Sequence, residues 1–158
     1  MLKQVKPGRL RNGGGAFAIV ASKYNARFVD SMLRAARAEL KRAGAMEVRV
    51  VRVPGAYEIP VVASQLAGSL RFSAVICLGV ILRGETTHAA HIGEAVSQAL
   101  MEIQLATGVP VIHEVLLLEN ESQAKARCLD PRHNRGREAA QTAIEMARVM
   151  AGIEQQGV

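Results

Sequence analysis

The chain has 158 residues, the size of one ordinary domain, and a second full domain is not expected within it. Hydrophobic residues make up 49% and charged residues 22%, enough to bury a core. With three Phe, two Tyr and no Trp that core is aliphatic, and too few rings exist to stack nucleic-acid bases on an aromatic platform. The net charge of +6 is concentrated in Lys3, Lys6, Arg9 and Arg11, which precede the first acid, Asp30, and leave +2 for the rest, so the excess describes an arm more than a nucleic-acid surface.

Residues 1–15 end in Asn12-Gly13-Gly14-Gly15 and show no periodicity, which predicts a flexible basic arm. Ala16–Ser22 is short and nearly all apolar, the pattern of a strand covered on both faces. Residues 26–43 place Phe28, Val29, Met32, Leu33, Ala36, Leu40 and Ala43 on one helical stripe, and Gly44 supplies a stop. Glu47–Val53 is a β-branched run. Tyr57–Ala67 has helical composition, with Pro60 tolerable near its first turn. Ser73–Leu82 predicts a third strand, and 88–106 a third helix with Ile92, Val96, Ala99, Leu100 and Ile103 inward. After the break at Gly108-Val109-Pro110, Val109–Leu118 predicts a fourth strand. Asn120 caps a short helix to Cys128 with Gln123 as its capping-box partner, and a last helix spans Gly136 to Met150. The expectation is a single domain over 16–152 with a tail at 153–158.

Cys77 and Cys128 form no CxxC pair, so neither a zinc knuckle nor a disulfide framework is indicated, and a reducing cytoplasm fits. No apolar run reaches the roughly 18 residues that cross a bilayer, and glycines follow the basic N-terminus where a signal peptide would have its apolar core. No membrane partner is expected.

Strands alternating with helices predict an α/β fold, a three-layer α/β/α sandwich with a four-stranded parallel sheet of flavodoxin-like type. Ligands in such folds bind beyond the carboxyl ends of the strands. Those ends carry Ser22-Lys23-Tyr24-Asn25, Pro54-Gly55-Ala56-Tyr57-Glu58, Arg83-Gly84-Glu85-Thr86-Thr87-His88 and Glu119-Asn120. In the third, Gly84 permits close backbone approach, and Thr86 and Thr87 sit where a helix start favours an anion, which makes a phosphate seat; His88 could move a proton there. A capped helix with an exposed His is the competing reading. Neither GxxxxGK[ST] nor a GxGxxG after the first strand is present, which argues against a nucleoside triphosphate or dinucleotide. His88, His91 and Glu94 recur at three-residue spacing, but without HExxH or a second ligand cluster they do not make a metal site.

Taken together, these loops resemble the 6,7-dimethyl-8-ribityllumazine synthases of riboflavin biosynthesis. The likeness rests on Tyr24-Asn25, on Val53-Pro54-Gly55-Ala56-Tyr57-Glu58-Ile59-Pro60, on Gly79-Val80-Ile81-Leu82-Arg83-Gly84-Glu85-Thr86-Thr87-His88, and on Asn134-Arg135-Gly136 followed by Glu138-Ala139-Ala140. It implies condensation of 5-amino-6-(D-ribitylamino)uracil with 3,4-dihydroxy-2-butanone 4-phosphate, releasing phosphate and water, with no cofactor and no metal. It implies His88 for proton transfer, Glu85 and Thr86 in the phosphate turn, and Arg127 on the phosphate. Tyr24 would stack on the pyrimidine beside Asn25, and Ala56, Tyr57 and Glu58 would hold the ribityl chain. Val80, Ile81 and Leu82 would meet the ring largely through backbone groups. His113 stands where the family has a large aromatic, and Arg135 replaces the usual Lys; both are expected near substrate. The pair after the histidine is Ala89-Ala90, and Leu117-Leu118 replaces a Thr pair.

In this family the site lies between neighbouring subunits of a pentamer, with the arginine and residue 113 coming from the adjacent chain. Some members close twelve pentamers into a sixty-subunit shell, within which riboflavin synthase is a candidate partner. Here the 128–133 loop has no insertion, which favours the shell, although Pro131 stands where shell-forming members often have Gly-rich sequence. The alternative reading is a weakly active or non-catalytic shell-forming or flavin-binding paralogue. A nucleic-acid module would have to rest on the arginine clusters.

Overall fold

Each apolar run becomes a strand because burial on both faces suits continuous Val, Ile and Ala. A computed structural model describes residues 14–157, so Lys3, Lys6, Arg9 and Arg11 of the expected arm lie outside the described residues. The elements are β1 (Ala16–Ser22), α1 (Ala26–Ala43), β2 (Glu47–Val53), α2 (Ile59–Gly68), β3 (Ala74–Leu82), α3 (His88–Thr107), β4 (Val111–Leu118), α4 (Glu121–Cys128) and α5 (Arg135–Gln155). The four strands form one parallel sheet in the order β2-β1-β3-β4. That is the expected three-layer α/β architecture.

Alternation along the strands splits the core in two. Phe17, Ile19, Ala21, Ile76 and Leu78 face α1 and α5 on one side. Ala18, Val20, Val75 and Cys77 face α2 and α3 on the other. The predicted stripe of α1 is buried from Phe28 to Ala43, and Gly44 ends that helix at φ 94°, a left-handed conformation that glycine takes freely. Burial pushes the Cys77 thiol up to about 12, as expected of a small core hydrophobe. No helix among the described residues is long and apolar enough to cross a membrane.

Three elements differ from expectation by more than one residue, each for a local reason. The segment from Tyr57 begins as a 3-10 turn, Ala56–Glu58, because the Glu58 carboxylate accepts the Gly55 N–H at 2.9 Å and tightens the chain ahead of Pro60. Strand β4 starts at Val111 and not Val109, since Pro110 has no N–H for the ladder; its carbonyl accepts Val75 N–H instead at 2.9 Å. Helix α5 begins one residue early, at Arg135, and runs past Met150 to Gln155 because no proline intervenes, so the first residues of the expected tail are helical.

Helices α1 and α5 meet backbone to backbone at Gly136. A Cβ there would lie 2.5 Å from Met32 Cα and closer still to the Met32 carbonyl oxygen. The absent side chain is what lets α5 dock.

Candidate functional site

The strand order reverses between β1 and β3, and the crevice of an open α/β sheet opens at that point. The β1–β3 register ends at Ala21–Leu78, whereas β3 continues beside β4 to Leu82–Leu118. By ladder alternation the backbone groups of Val80 and Leu82 turn toward the side that β1 has vacated. The Val80 carbonyl is already taken: Asn25 Nδ2 donates to it at 2.7 Å and ties the end of β1 to β3. Asn25 holds φ 57° to do so, a left-handed conformation that Asn tolerates better than most residues.

The next wall of the crevice is built from the ends of β1 and β2. Lys23 and Tyr24 N–H groups donate to Val53 and Pro54 carbonyls, which lays Tyr24 against the Pro54-Gly55 turn. A Cβ on Gly55 would lie 2.8 Å from Tyr24 Cδ2 and 3.0 Å from Glu58 Oε2, so the glycine makes room for both. The Tyr24 side chain is 68% exposed, a ring held at one edge and otherwise open for stacking. Glu58 commits Oε2 to Gly55 N–H. Ala56 is buried beneath, and Tyr57 is 65% exposed beside it.

The loop after β3 forms the rim. Residues 83–88 are exposed, and Arg83 pairs with Glu119 at 2.9 Å across the ends of β3 and β4. Thr86 Oγ1 accepts the His88 N–H at 3.3 Å, and Thr87 Oγ1 lies 3.3 Å from His91 Nε2. The Ala89 and Ala90 amides follow in the first turn of α3, where helical N–H groups have no intrahelical acceptor and the dipole favours an anion. Tyr24, Asn25, Ala56, Tyr57, Glu58, Val80, Ile81, Leu82, Glu85, Thr86 and His88 thus all sit at the carboxyl rim of one chain.

Three expected residues lie elsewhere. His113 pairs in register with Cys77, five residues below Leu82–Leu118, which puts it about 16 Å down the sheet at the rise of a strand. There its Nε2 meets Ser97 Oγ at 2.7 Å, and burial lowers its pKa. Arg127 lies exposed in the last turn of α4, a helix packed on α1, α5 and β4. Arg135 opens α5 and commits its guanidinium to Glu114 at 2.7 Å and Glu138 at 3.2 Å. Glu114 is 8% exposed, and burial raises its pKa against the opposing pull of Arg135. Sequence reasoning missed this pair because 21 residues separate the partners.

Among the described residues no three His, Cys, Asp or Glu side chains converge to hold a metal ion. The family model for 6,7-dimethyl-8-ribityllumazine synthase matches residues 14–151. A 6,7-dimethyl-8-ribityllumazine synthase of Xanthomonas oryzae pv. oryzae is 42% identical over 145 residues, 90% of this chain and 94% of the relative. The chain belongs to the 6,7-dimethyl-8-ribityllumazine synthase family. Synthases of the same name from Desulfotalea psychrophila (42% over 149 residues, 93% of this chain and 96% of the relative) and Stenotrophomonas maltophilia (40% over 146 residues, 90% and 94%) are similarly close. The motifs at residues 24–25, 53–60 and 79–88 are the ones the fold of this synthase-family chain gathers at the β1/β3 crevice, whereas Asn134-Arg135-Gly136 lies at the start of α5.

Proposed function

We propose that this chain condenses 5-amino-6-(D-ribitylamino)uracil with 3,4-dihydroxy-2-butanone 4-phosphate to 6,7-dimethyl-8-ribityllumazine, releasing phosphate and water. The observation that carries this reading is the family match over residues 14–151, supported by the motifs at 24–25, 53–60 and 79–88, which lie at the strand ends of one chain. An amine attacks a ketone to give an imine with loss of water, phosphate is eliminated, and the second amine closes the ring on the remaining carbonyl with loss of a second water. Such a sequence needs positioning, an anion seat and a proton carrier. The open Tyr24 ring suits a pyrimidine, Ala56, Tyr57 and Glu58 suit a polyol, and Glu85-Thr86 with the start of α3 suits the phosphate. His88, one turn from that seat, would move the proton.

The site needs a second copy. One chain leaves His113 and Arg127 apart from the rim, and α3 exposes Met101 and Leu105, large apolar groups that an assembly would cover. We assign both residues to the neighbouring subunit of a cytoplasmic pentamer, with closure into a sixty-subunit shell around riboflavin synthase as the larger state.

The test follows lumazine absorbance and fluorescence on mixing both substrates with assembled protein. His88→Ala should slow turnover about a hundredfold or more, and Arg127→Ala should raise KM for the phosphate-bearing substrate about tenfold or more. Co-refolding the two variants should rebuild intact sites at about a quarter of the interfaces of a mixed ring. No acceleration by assembled wild-type protein refutes the reaction; failure of the mixed rings to regain activity refutes the shared site.

A further inference from the structure

Helix α4 is short, polar and weakly anchored. Only Ala124 and Cys128 of its eight residues are buried, and an isolated helix of this length is not stable in water. Its N-terminus is fixed by Asn120 Oδ1, which accepts Gln123 N–H at 2.9 Å, and by Gln123 Oε1, which accepts Glu119 N–H at 2.9 Å. What fixes its other end comes from far away in the chain.

The Cys128 carbonyl, which closes α4, accepts two side-chain hydrogen bonds. Ser31 Oγ on α1 donates at 2.6 Å from 97 residues away, and Asn134 Nδ2 donates at 2.8 Å. Asn134 is 5% exposed. Its Nδ2 also reaches Ser31 Oγ at 3.3 Å, and its Oδ1 accepts Gly136 N–H at 2.8 Å as the cap of α5. A single carbonyl therefore knots three helices, and the residue immediately before it is Arg127. With almost no apolar face to orient α4, this knot determines where the Arg127 guanidinium is presented.

We infer that Ser31 and Asn134 are positioning residues for Arg127, fixing the last turn of α4 so that its guanidinium reaches a phosphate held by a neighbouring subunit. The inference rests on the reading of Arg127 as a phosphate-contacting group. Neither residue touches substrate. Loss of either hydrogen bond loosens the C-terminal turn of α4, and the effect falls on the phosphate-bearing substrate alone.

The experiment uses full-length assembled protein, with sedimentation recorded for every variant. Ser31→Ala removes one donor; Asn134→Ser keeps an oxygen to cap Gly136 N–H while withdrawing the donor from Cys128. Each should raise KM for the phosphate-bearing substrate about three- to tenfold, the worth of one hydrogen bond, and weaken inorganic phosphate binding by calorimetry by the same factor. KM for the pyrimidine and the sedimentation coefficient should not change. Placed on an Arg127→Ala background, Ser31→Ala should add nothing, because the group it positions is gone.

An unchanged KM for the phosphate-bearing substrate, equal rises in both KM values, a changed assembly, or an undiminished penalty on the Arg127→Ala background would each overturn the positioning role. If Arg127→Ala itself leaves phosphate binding unchanged, the assignment of Arg127 fails and the inference falls with it. If wild-type protein shows no turnover yet binds phosphate through Arg127, the reaction reading fails alone, and the calorimetric arm still decides the positioning role.

Discussion

Replacing Gly136 by Ala separates helix propensity from packing. Gly136 is buried in the first turn of α5, and Ala is favoured over Gly in a helix by up to about 1 kcal/mol. Propensity alone therefore predicts a more stable protein. The added Cβ, however, would lie 2.5 Å from both the carbonyl carbon and Cα of Met32, where 3.4–4 Å is ordinary contact. These are backbone atoms of α1 and cannot rotate aside. Helices α1 and α5 must separate by about 1 Å along an interface that carries one half of the core, and overpacking of this kind costs roughly 1–3 kcal/mol, occasionally more. Because the obstacle is backbone, the upper end of that range, about 3 kcal/mol, applies, which leaves a net loss of about 2 kcal/mol after the propensity gain, or about 4–8 °C in Tm for a domain of this size. The assay is urea denaturation followed by far-UV circular dichroism at one fixed subunit concentration, because assembly makes apparent stability depend on concentration. A midpoint at or above that of the parent would refute the close approach of the two helices.

Asn25 should divide similarly between backbone and side chain. Asn25→Gly keeps φ 57° without strain and loses only the bond to Val80, about 1 kcal/mol, whereas Asn25→Ala adds a left-handed penalty of roughly 1 kcal/mol more. Urea midpoints that rank Ala at or above Gly would contradict this order. Arg135→Met should cost about 2 kcal/mol at neutral pH by leaving Glu114 unpaired, less than for a fully buried pair because Arg135 is 40% exposed. Adding Glu114→Gln should recover much of that loss in the same denaturation assay. The two buried acids should respond to pH with opposite signs. Glu114, whose pKa burial raises, contributes most below about pH 4.5 and loses that contribution as pH rises through its folded value, so Glu114→Gln should gain on the parent with rising pH. Glu39, whose pKa the Arg42 hydrogen bond lowers, contributes above that point and loses it as pH falls, so Glu39→Gln should cost stability at pH 7 and not at pH 3. Parallel pH profiles for the two variants would refute one of the two assignments, and flat profiles both.

Much of this protein was legible in its sequence for a local reason. A continuous apolar run, a stripe at helical spacing, a glycine stop after Ala43 and an Asn cap before α4 each depend on residues a few positions apart. The order of alternating strands and helices follows from them. The loops at the strand ends were legible too, since an open parallel sheet places its ligands there whatever its loops contain. Composition sufficed to exclude a membrane-spanning run or a stack of aromatic rings.

Tertiary structure decided what depends on distant partners. Sequence spacing could not reveal that Asn25 clasps Val80 across 55 residues, that Glu114 lies buried under Arg135, or that Ser31 and Asn134 meet on one carbonyl. Nor could it separate Gly136, where a backbone presses in, from Gly84, where a Cβ would meet nothing. His113 and Arg127, which the resemblance already gives to an adjacent chain, are set away from their own rim by the register of β4 and the layer of α4. A hydrophobic period repeats locally and can be read along the chain, whereas a hydrogen bond between residues a hundred positions apart exists only once the core has brought three helices together.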